Sequence, residues 1–301
     1  MQWRPFPLLL LVPVLALLVW LPGCQGPVPG KKRPRTEGDS EGAARKELKA
    51  ASWGTFSGKV TYDGTPPPRP LIAMGANEAA CHGGATQDET RDETWVVGPK
   101  GGVKNVVVYL QPPEGYYFYM PEDQLKYKDK AKGLEWAKDE VLIDQPHCAF
   151  KPHVFWLFPK YYDPKTNGYL PTEQKLVVRN SFGSQHNFNL DPRGGDTRAQ
   201  NFTLQPGTHV EVTGFVPNTR PVFAKCDIHT WMKTYGFIME HPYCAITDDE
   251  GNFTIKDAPL GVDLQVVAWH EAVLFFFPNE DGTKMKLSDN QTLQLPSIKA
   301  R

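Results

Sequence analysis

The chain has few cysteines, five in 301 residues. None of them belongs to a Cys-x-x-Cys or Cys-x-x-Cys-His element, which excludes a thioredoxin-type redox pair and c-type haem attachment. The sequence also lacks a P-loop, a dinucleotide-binding glycine fingerprint and a Gly-x-Ser-x-Gly element. Its formal net charge is −1 and it has no basic stripe, so nucleic acid is not predicted as a partner.

Long apolar runs are scarce as well, and the clearest one lies at the N-terminus. Residues 1–23 carry one positive charge, Arg4, followed by an apolar run from Phe6 to Trp20. This pattern is typical of a secretory signal peptide. The alternative is an uncleaved membrane anchor, but the run is shorter than the ~20 residues of a membrane-spanning helix.

The end of this segment resembles a bacterial lipobox, because Leu21 and Gly23 precede an acceptor cysteine, Cys24. The resemblance implies that Cys24 becomes a lipidated first residue and anchors the chain in the bacterial cell envelope. The next residue, Gln25, is not the aspartate that retains lipoproteins at the inner membrane, which favours the periplasmic face of the outer membrane. Residues 24–52 are rich in glycine, proline and charge, and they predict a flexible tether.

Much later the chain reads Lys-Cys-Asp-Ile-His-Thr-Trp-Met, which offers a thiolate, an imidazole and a thioether at Cys226, His229 and Met232. A second imidazole, His186, lies upstream and is followed by Asn187. One Cys, two His and a weak axial Met are the ligands of a mononuclear blue-copper site, which transfers one electron. The structural alternative is a buried cysteine, a methionine that fills the core and a surface histidine. A zinc site would need four strong ligands, commonly with paired cysteines, and no second cysteine lies nearby.

Short alternating runs separated by Gly, Pro and Asn predict an antiparallel β-sandwich around these residues. Two loops at one end of such a sandwich can bring His186 beside Cys226. The predicted strands are residues 174–179, 186–190, 201–204, 209–215 and 235–239.

Residues 140–244 resemble the cupredoxin family. The resemblance rests on Val-Arg-Asn-Ser before His-Asn, then Pro-Gly, then Cys-x2-His-x2-Met before a last strand, and the short loop is similar to the amicyanin and plastocyanin type. It implies one type 1 copper per chain, held by His186, Cys226, His229 and Met232. It also implies that Asn187, the residue after His186, ties the two ligand loops together. The partner that it implies is a periplasmic or membrane redox protein.

The position of the ligand loop predicts where electrons enter and leave the site. Because it lies in the ligand loop, His229 is expected to be exposed and to pass the electron, with Trp231 or Phe182 supplying an apolar patch around it.

The flanking segments, 53–139 and 245–301, resemble a carboxypeptidase-regulatory-like, transthyretin-like sandwich. The resemblance rests on Gly-x-Val at the start, a predicted hairpin over 247–255, and Pro-x-Gly before a strand at 263–269. It implies an all-β chain in which a Greek-key copper sandwich is joined by a second, smaller β-sandwich, either as one interrupted module or as two modules. Residues 120–140 are expected to form a solvated insertion with a short helix.

With Cys226 assigned to copper, Cys81, Cys148 and Cys244 remain, in a compartment that permits disulfides. Connectivity cannot be derived from sequence. We favour Cys81–Cys148, because both lie in turn-rich contexts before the ligand loop, and expect Cys244 to be buried and reduced.

Other functions stay open. Aromatic clusters at 116–119, 155–158 and 161–162 are either core anchors or a surface for a glycan or protein partner. A β-sandwich lipoprotein that binds such a partner, and a copper carrier, are the alternatives to electron transfer. A second site with three histidines would make a copper enzyme, but no spacing requires one, so we expect structural histidines and no enzymatic activity.

Overall fold

The regular secondary structure of the described residues is almost entirely β-strand, which confirms the all-β sandwich prediction. The computed structural model describes residues 44–75, 78–83, 85–86, 89–120 and 140–300. The signal segment, Cys24 and most of the expected insertion lie outside these residues. Among the described residues, no helix is long and apolar enough to cross a bilayer.

Within the described residues, twenty strands and one short α-helix follow each other. They are β1 Lys46–Leu48, β2 Ser52–Lys59, α1 Glu78–Cys81, β3 Val107–Gln111, β4 Tyr116–Phe118, β5 Glu140–Asp144, β6 Val154–Leu157, β7 Lys160–Asp163, β8 Gly168–Pro171, β9 Lys175–Arg179, β10 His186–Asp191, β11 Gln200–Leu204, β12 His209–Val212, β13 Val222–Lys225, β14 Lys233–Ile238, β15 Cys244–Ile246, β16 Asn252–Leu260, β17 Asp263–His270, β18 Leu274–Phe275, β19 Thr283–Lys286 and β20 Gln291–Gln294.

The central part of the chain forms a sandwich of two sheets. One sheet has the order β11-β10-β13-β14-β6 and the other the order β12-β9-β5. Buried side chains from both sheets share one core, among them Leu176, Val178, Phe188, Leu190 and Val212. Most pairings are antiparallel as predicted, while β14–β6 and β5–β9 are parallel.

The flanking segments form two further sheets around a separate core. Their orders are β15-β3-β17-β18, with β19 also on β17, and β16-β2-β20. A third cluster joins the two sandwiches, because Tyr109 and Trp269 of the flanking sheet pack with Val154 and Phe237 of the central one.

The predicted hairpin over 247–255 is wrong. β15 pairs with β3 and β16 pairs with β2, so the turn between them carries the chain from one sheet to the other. Gly251 allows this turn: its φ is +79°, and a Cβ there would lie 2.2 Å from the carbonyl oxygen of Val60.

The tether is shorter than the sequence predicts, since its last residues are part of the fold. β1 pairs with β4, and β2 already begins at Ser52. Arg45 forms an ion pair with Glu240 at 2.6 Å, and its guanidinium lies 3.8 Å from the ring centroid of Tyr162. A cation that is both paired and stacked fixes the chain at this point.

The described residues between 69 and 92 (69–75, 78–83, 85–86 and 89–92) have little regular structure and lie against one end of the central sandwich, where Met74 and Cys81 join its core; we call them the cap segment. Its two ends are joined by the backbone hydrogen bond from Ile72 to Thr90, 2.9 Å. A disulfide links Cys81 in the cap segment to Cys148 in a short 3-10 helix, with a Cα–Cα distance of 5.3 Å. This is the pair that the sequence favoured. Cys226 and Cys244 are free and buried.

Candidate metal centre

The fold brings the four predicted ligands to one end of the central sandwich. His186 opens β10, Cys226 directly follows β13, and Met232 directly precedes β14. β10 pairs with β13, and β13 with β14, so the ligand-bearing ends are neighbours. All four side chains are buried, with exposed fractions of 0% for His186 and Cys226, 2% for Met232 and 5% for His229.

Backbone hydrogen bonds hold the sulfur of Cys226 between the two ligand segments. The N–H of Asn187 donates to Sγ at 3.5 Å and the N–H of His229 donates at 3.4 Å. The loop itself closes through the N–H of Cys226 on the carbonyl of Met232, 3.2 Å, and the N–H of Met232 on the carbonyl of His229, 2.9 Å. Local bonds therefore fix the spacing of three predicted ligands.

Asn187 joins the two loops through its side chain. Its Oδ1 accepts a hydrogen bond from the backbone N–H of Asp227 at 2.6 Å, and its Nδ2 donates to Asp227 Oδ2 at 3.0 Å and to Asn201 Oδ1 at 2.8 Å. The hydrogen bonds of Asp227 with Lys225 and Asn189 lower the pKa of this carboxyl to about 2. Asp227 is therefore an anion across the physiological range and keeps accepting these bonds.

The two predicted imidazole ligands are in contact and their inner nitrogens are unsatisfied. The ring centroids of His186 and His229 lie 4.8 Å apart, with the rings nearly perpendicular. Within the described part of the chain, both ring nitrogens of His186 and Nδ1 of His229 are buried without a hydrogen-bond partner. Burial, and then the proximity of His229, lower the pKa of His186 to about 4. Burial also lowers the pKa of His229. Both rings are therefore neutral near pH 7, as a metal ligand must be.

The ligand atoms are not gathered as tightly as around a bound ion. Among the described residues, the group of three His, Cys, Asp or Glu ligand atoms that all lie within 4.8 Å of one another is Cys81, Cys148 and His229. The predicted trio of His186, Cys226 and His229 is not such a group. Disulfide sulfurs are not thiolates, so the observed group is not itself the predicted blue-copper set. It shows instead that the ring of His229 lies against the disulfide.

His229 is consequently not the exposed port that the sequence predicted. The prediction took a ligand loop at the end of a sandwich to be open to solvent. The cap segment and its disulfide cover this end, and His229 keeps only 5% of its surface.

The donor set nevertheless fits copper. A buried thiol, two neutral imidazoles with unpartnered nitrogens and a buried thioether are the soft and intermediate donors that copper prefers. A buried nitrogen without a partner costs roughly 1–3 kcal/mol. A metal ion at His186 and His229 would relieve that cost.

Sequence reasoning missed one residue that shapes the site, Asn180. It is fully buried, and its Nδ2 donates to the carbonyls of Ser184 and Leu204 while its Oδ1 accepts from the N–H of Phe182. These bonds fold the loop before His186, and Phe182 stacks parallel on that ring with centroids 5.6 Å apart. An asparagine at the end of a predicted strand is the signal that could have found it.

A second polar cluster includes Lys233, the residue after Met232; we call it the ion-pair cluster. Nε2 of His153 lies 2.5 Å from one carboxylate oxygen of Glu271, and Lys233 Nζ donates to the other at 2.7 Å. Lys151 pairs with Glu93 at 3.0 Å, and that carboxylate also lies 3.8 Å from Nδ1 of His153. Burial opposes ionisation of Glu271, but His153 and Lys233 outweigh it and lower the pKa of Glu271 to about 2.

Comparisons with known proteins give no family assignment. No family model and no curated protein matches the chain. Among solved structures, a copper-containing nitrite reductase from Thermus scotoductus SA-01 is 15% identical over 34% of this chain, with a TM-score of 0.27; the match spans 22% of that enzyme. A point mutant of amicyanin with Cu(I) is 8% identical over 34% of this chain and 83% of its own, with a TM-score of 0.24. A purple cupredoxin from Nitrosopumilus maritimus is 12% identical over 33% of this chain and 97% of its own, also with a TM-score of 0.24. At these scores the case for a function rests on the chain's own residues.

Proposed function

We propose that the protein is a mononuclear copper protein that transfers single electrons between redox partners. His186, Cys226 and His229 would hold the metal, and Met232 would be the weak axial ligand. Copper in such a set exchanges one electron between Cu(II) and Cu(I). The partner is proposed to be a periplasmic or membrane redox protein.

One observation carries the proposal: two touching, buried imidazoles whose inner nitrogens have no partner among the described residues. Buried polar groups in folded proteins are almost always hydrogen-bonded. Two such exceptions side by side, next to a buried free thiol, indicate a group that binds between them. If the two imidazoles had a purely structural role, nothing would offset the free-energy cost of their unpaired nitrogens.

The protein's own residues prepare the site for this role. The N–H groups of Asn187 and His229 orient the sulfur of Cys226. The side chain of Asn187 keeps the segment of His186 in register with the ligand loop. Burial of all four side chains excludes water and substrates, which favours electron transfer over chemistry at the metal.

The test is the absorption spectrum of the full-length chain after addition of one equivalent of Cu(II). The proposal predicts an intense visible thiolate-to-copper band. Cys226→Ser should abolish the band, because it removes the thiolate. Cys244→Ser is the matched control, since Cys244 is the other free, buried cysteine among the described residues, and it should leave the band unchanged.

Two outcomes would contradict the proposal: no visible band in the unaltered chain, or a band that is still present in Cys226→Ser. Binding of Cu(II) without the band would favour a copper carrier, and no binding would favour a β-sandwich that binds a glycan or protein partner.

We also propose that the chain is anchored through lipid on Cys24 at the periplasmic face of the bacterial envelope, with the outer membrane favoured. The support is the lipobox-like sequence alone. Cys24→Ala should move the protein from the membrane fraction to the soluble fraction, and an unchanged distribution would contradict the anchor.

A further inference from the structure

The cap segment changes how an electron can reach the proposed metal site. In an open ligand loop the ring edge of His229 would meet the partner directly. Here the disulfide of Cys81 and Cys148 lies against that ring, and the ring is almost completely buried. An electron that passes through His229 must therefore cross at least one further group.

The next ring outward is that of Trp231. Its centroid lies 5.2 Å from that of His229, and its side chain is half-buried. Its Nε1 donates to the carbonyl oxygen of Cys148 at 3.1 Å, which fixes the indole beside the disulfide. Trp231 also lines a surface cavity of about 300 Å³ together with Met232, Lys233 and His153.

On these observations we propose that Trp231, and not His229, is the port through which electrons enter and leave the metal site. This inference rests on the proposed copper function. The indole packs on the proposed ligand His229 and also lines the surface cavity. Its hydrogen bond to Cys148 holds the ring in this position, so the contact persists without a partner.

A second aromatic ring touches the site and supplies a matched comparison. Phe182 stacks on His186, as Trp231 packs on His229, and both side chains are half-buried. If any aromatic neighbour of a ligand sufficed, the two residues would matter equally. The proposal assigns the role to Trp231 alone, because it lines the cavity and belongs to the loop that carries Cys226 and His229.

The experiment measures the rate at which ferrocyanide reduces the Cu(II)-loaded full-length chain, by loss of the visible band. Trp231→Leu should lower the rate about tenfold, equivalent to about 1.4 kcal/mol of activation free energy. Trp231→Phe keeps a ring and should retain most of the rate, while Phe182→Leu should lower the rate much less than Trp231→Leu does. The reduction potential of each variant is measured by titration, so that rates are compared at equal driving force.

A second readout does not depend on electron transfer. Cu(II) quenches the emission of a tryptophan close to it, so loading the unaltered chain should quench more emission than loading Trp231→Phe. Equal quenching in the two chains would overturn the proposal even where Trp231→Leu fails to bind copper.

The two kinds of failure are distinct. Absence of the band in the unaltered chain overturns the copper function and this inference with it. With the band present, an unchanged rate in Trp231→Leu, or an equal fall in Phe182→Leu, overturns the inference alone.

Discussion

Two polar clusters include consecutive residues of the chain, Met232 in one and Lys233 in the other, and they differ in how their hydrogen bonds are satisfied. In the ion-pair cluster, His153 and Lys233 both bind Glu271. The other cluster, which we call the ligand cluster, consists of the four proposed copper ligands. In it His186 and His229 touch each other, but three of their nitrogens have no partner among the described residues.

This difference separates a structural site from a binding site. A buried charge is tolerated when its partners are built into the fold, as around Glu271. An unsatisfied buried nitrogen is retained only if something else offsets its cost. The comparison therefore predicts opposite responses: removing a group from the ion-pair cluster should destabilise the fold, whereas removing one from the ligand cluster should not.

The largest effect is expected at Glu271. Glu271→Leu leaves His153 and Lys233 without their shared anion, and we expect the free energy of unfolding to fall by about 4 kcal/mol. Urea unfolding of the metal-free protein measures it. Glu280→Leu is the control, because Glu280 is half exposed and paired with Arg220 at the surface; there we expect a loss of about 0.5 kcal/mol. Equal losses at the two sites would contradict a structural role for the cluster.

The next effect is a dependence on pH. The pKa of Glu271 falls from its ordinary 4.5 to about 2 on folding, so between these values the unfolded chain binds the proton more readily. Stability contributed by this carboxylate is present above pH 4.5 and is lost as the pH falls toward 2. At 1.36 kcal/mol for each unit by which the pKa is lowered, the carboxylate contributes about 3 kcal/mol to the free energy of unfolding.

The measurement is urea unfolding of the unaltered chain and of Glu271→Gln over this range. The gap in stability between the two chains should be widest above pH 5 and should narrow steadily below pH 4.5. A gap that stays constant down to pH 3 would show that Glu271 is not held ionised by its neighbours.

The positions of the four proposed ligands at one end of the sandwich could be predicted from the sequence, but their surroundings could not. Cys226, His229 and Met232 lie within one short loop, and the pairing of the strands that carry His186 and Cys226 follows from an antiparallel sandwich. Strand periodicity likewise predicts β9 and β14. These features depend on neighbours in sequence or on the regular geometry of a sheet, so local patterns are enough to find them.

The errors concern contacts between distant segments. His153 meets Glu271 across 118 residues, and the cap segment reaches His229 through a disulfide that spans 67 residues. The turn at Gly251 looked like a hairpin, because periodicity marks a strand without naming the sheet that it joins. The contact of the cap segment with His229, which buries the ring, is also of this kind, and no local sequence pattern predicts it.

The smallest effect carries the opposite sign and tests the comparison most directly. In the metal-free protein, His186→Leu removes two buried nitrogens that have no partner in the described structure and replaces the ring with an apolar side chain. We expect the protein to be as stable as the unaltered chain or about 1 kcal/mol more stable, since an unsatisfied buried group costs more than its apolar substitute. The same variant should lose copper binding.

His153→Leu is the matched substitution in the ion-pair cluster. It should destabilise the metal-free protein, because Glu271 would lose its closest partner. Urea unfolding in the presence of a chelator compares the two variants. If His186→Leu destabilises the protein as much as His153→Leu does, then the imidazole of His186 contributes to the fold itself, and its unpartnered nitrogens would no longer indicate a metal that binds there.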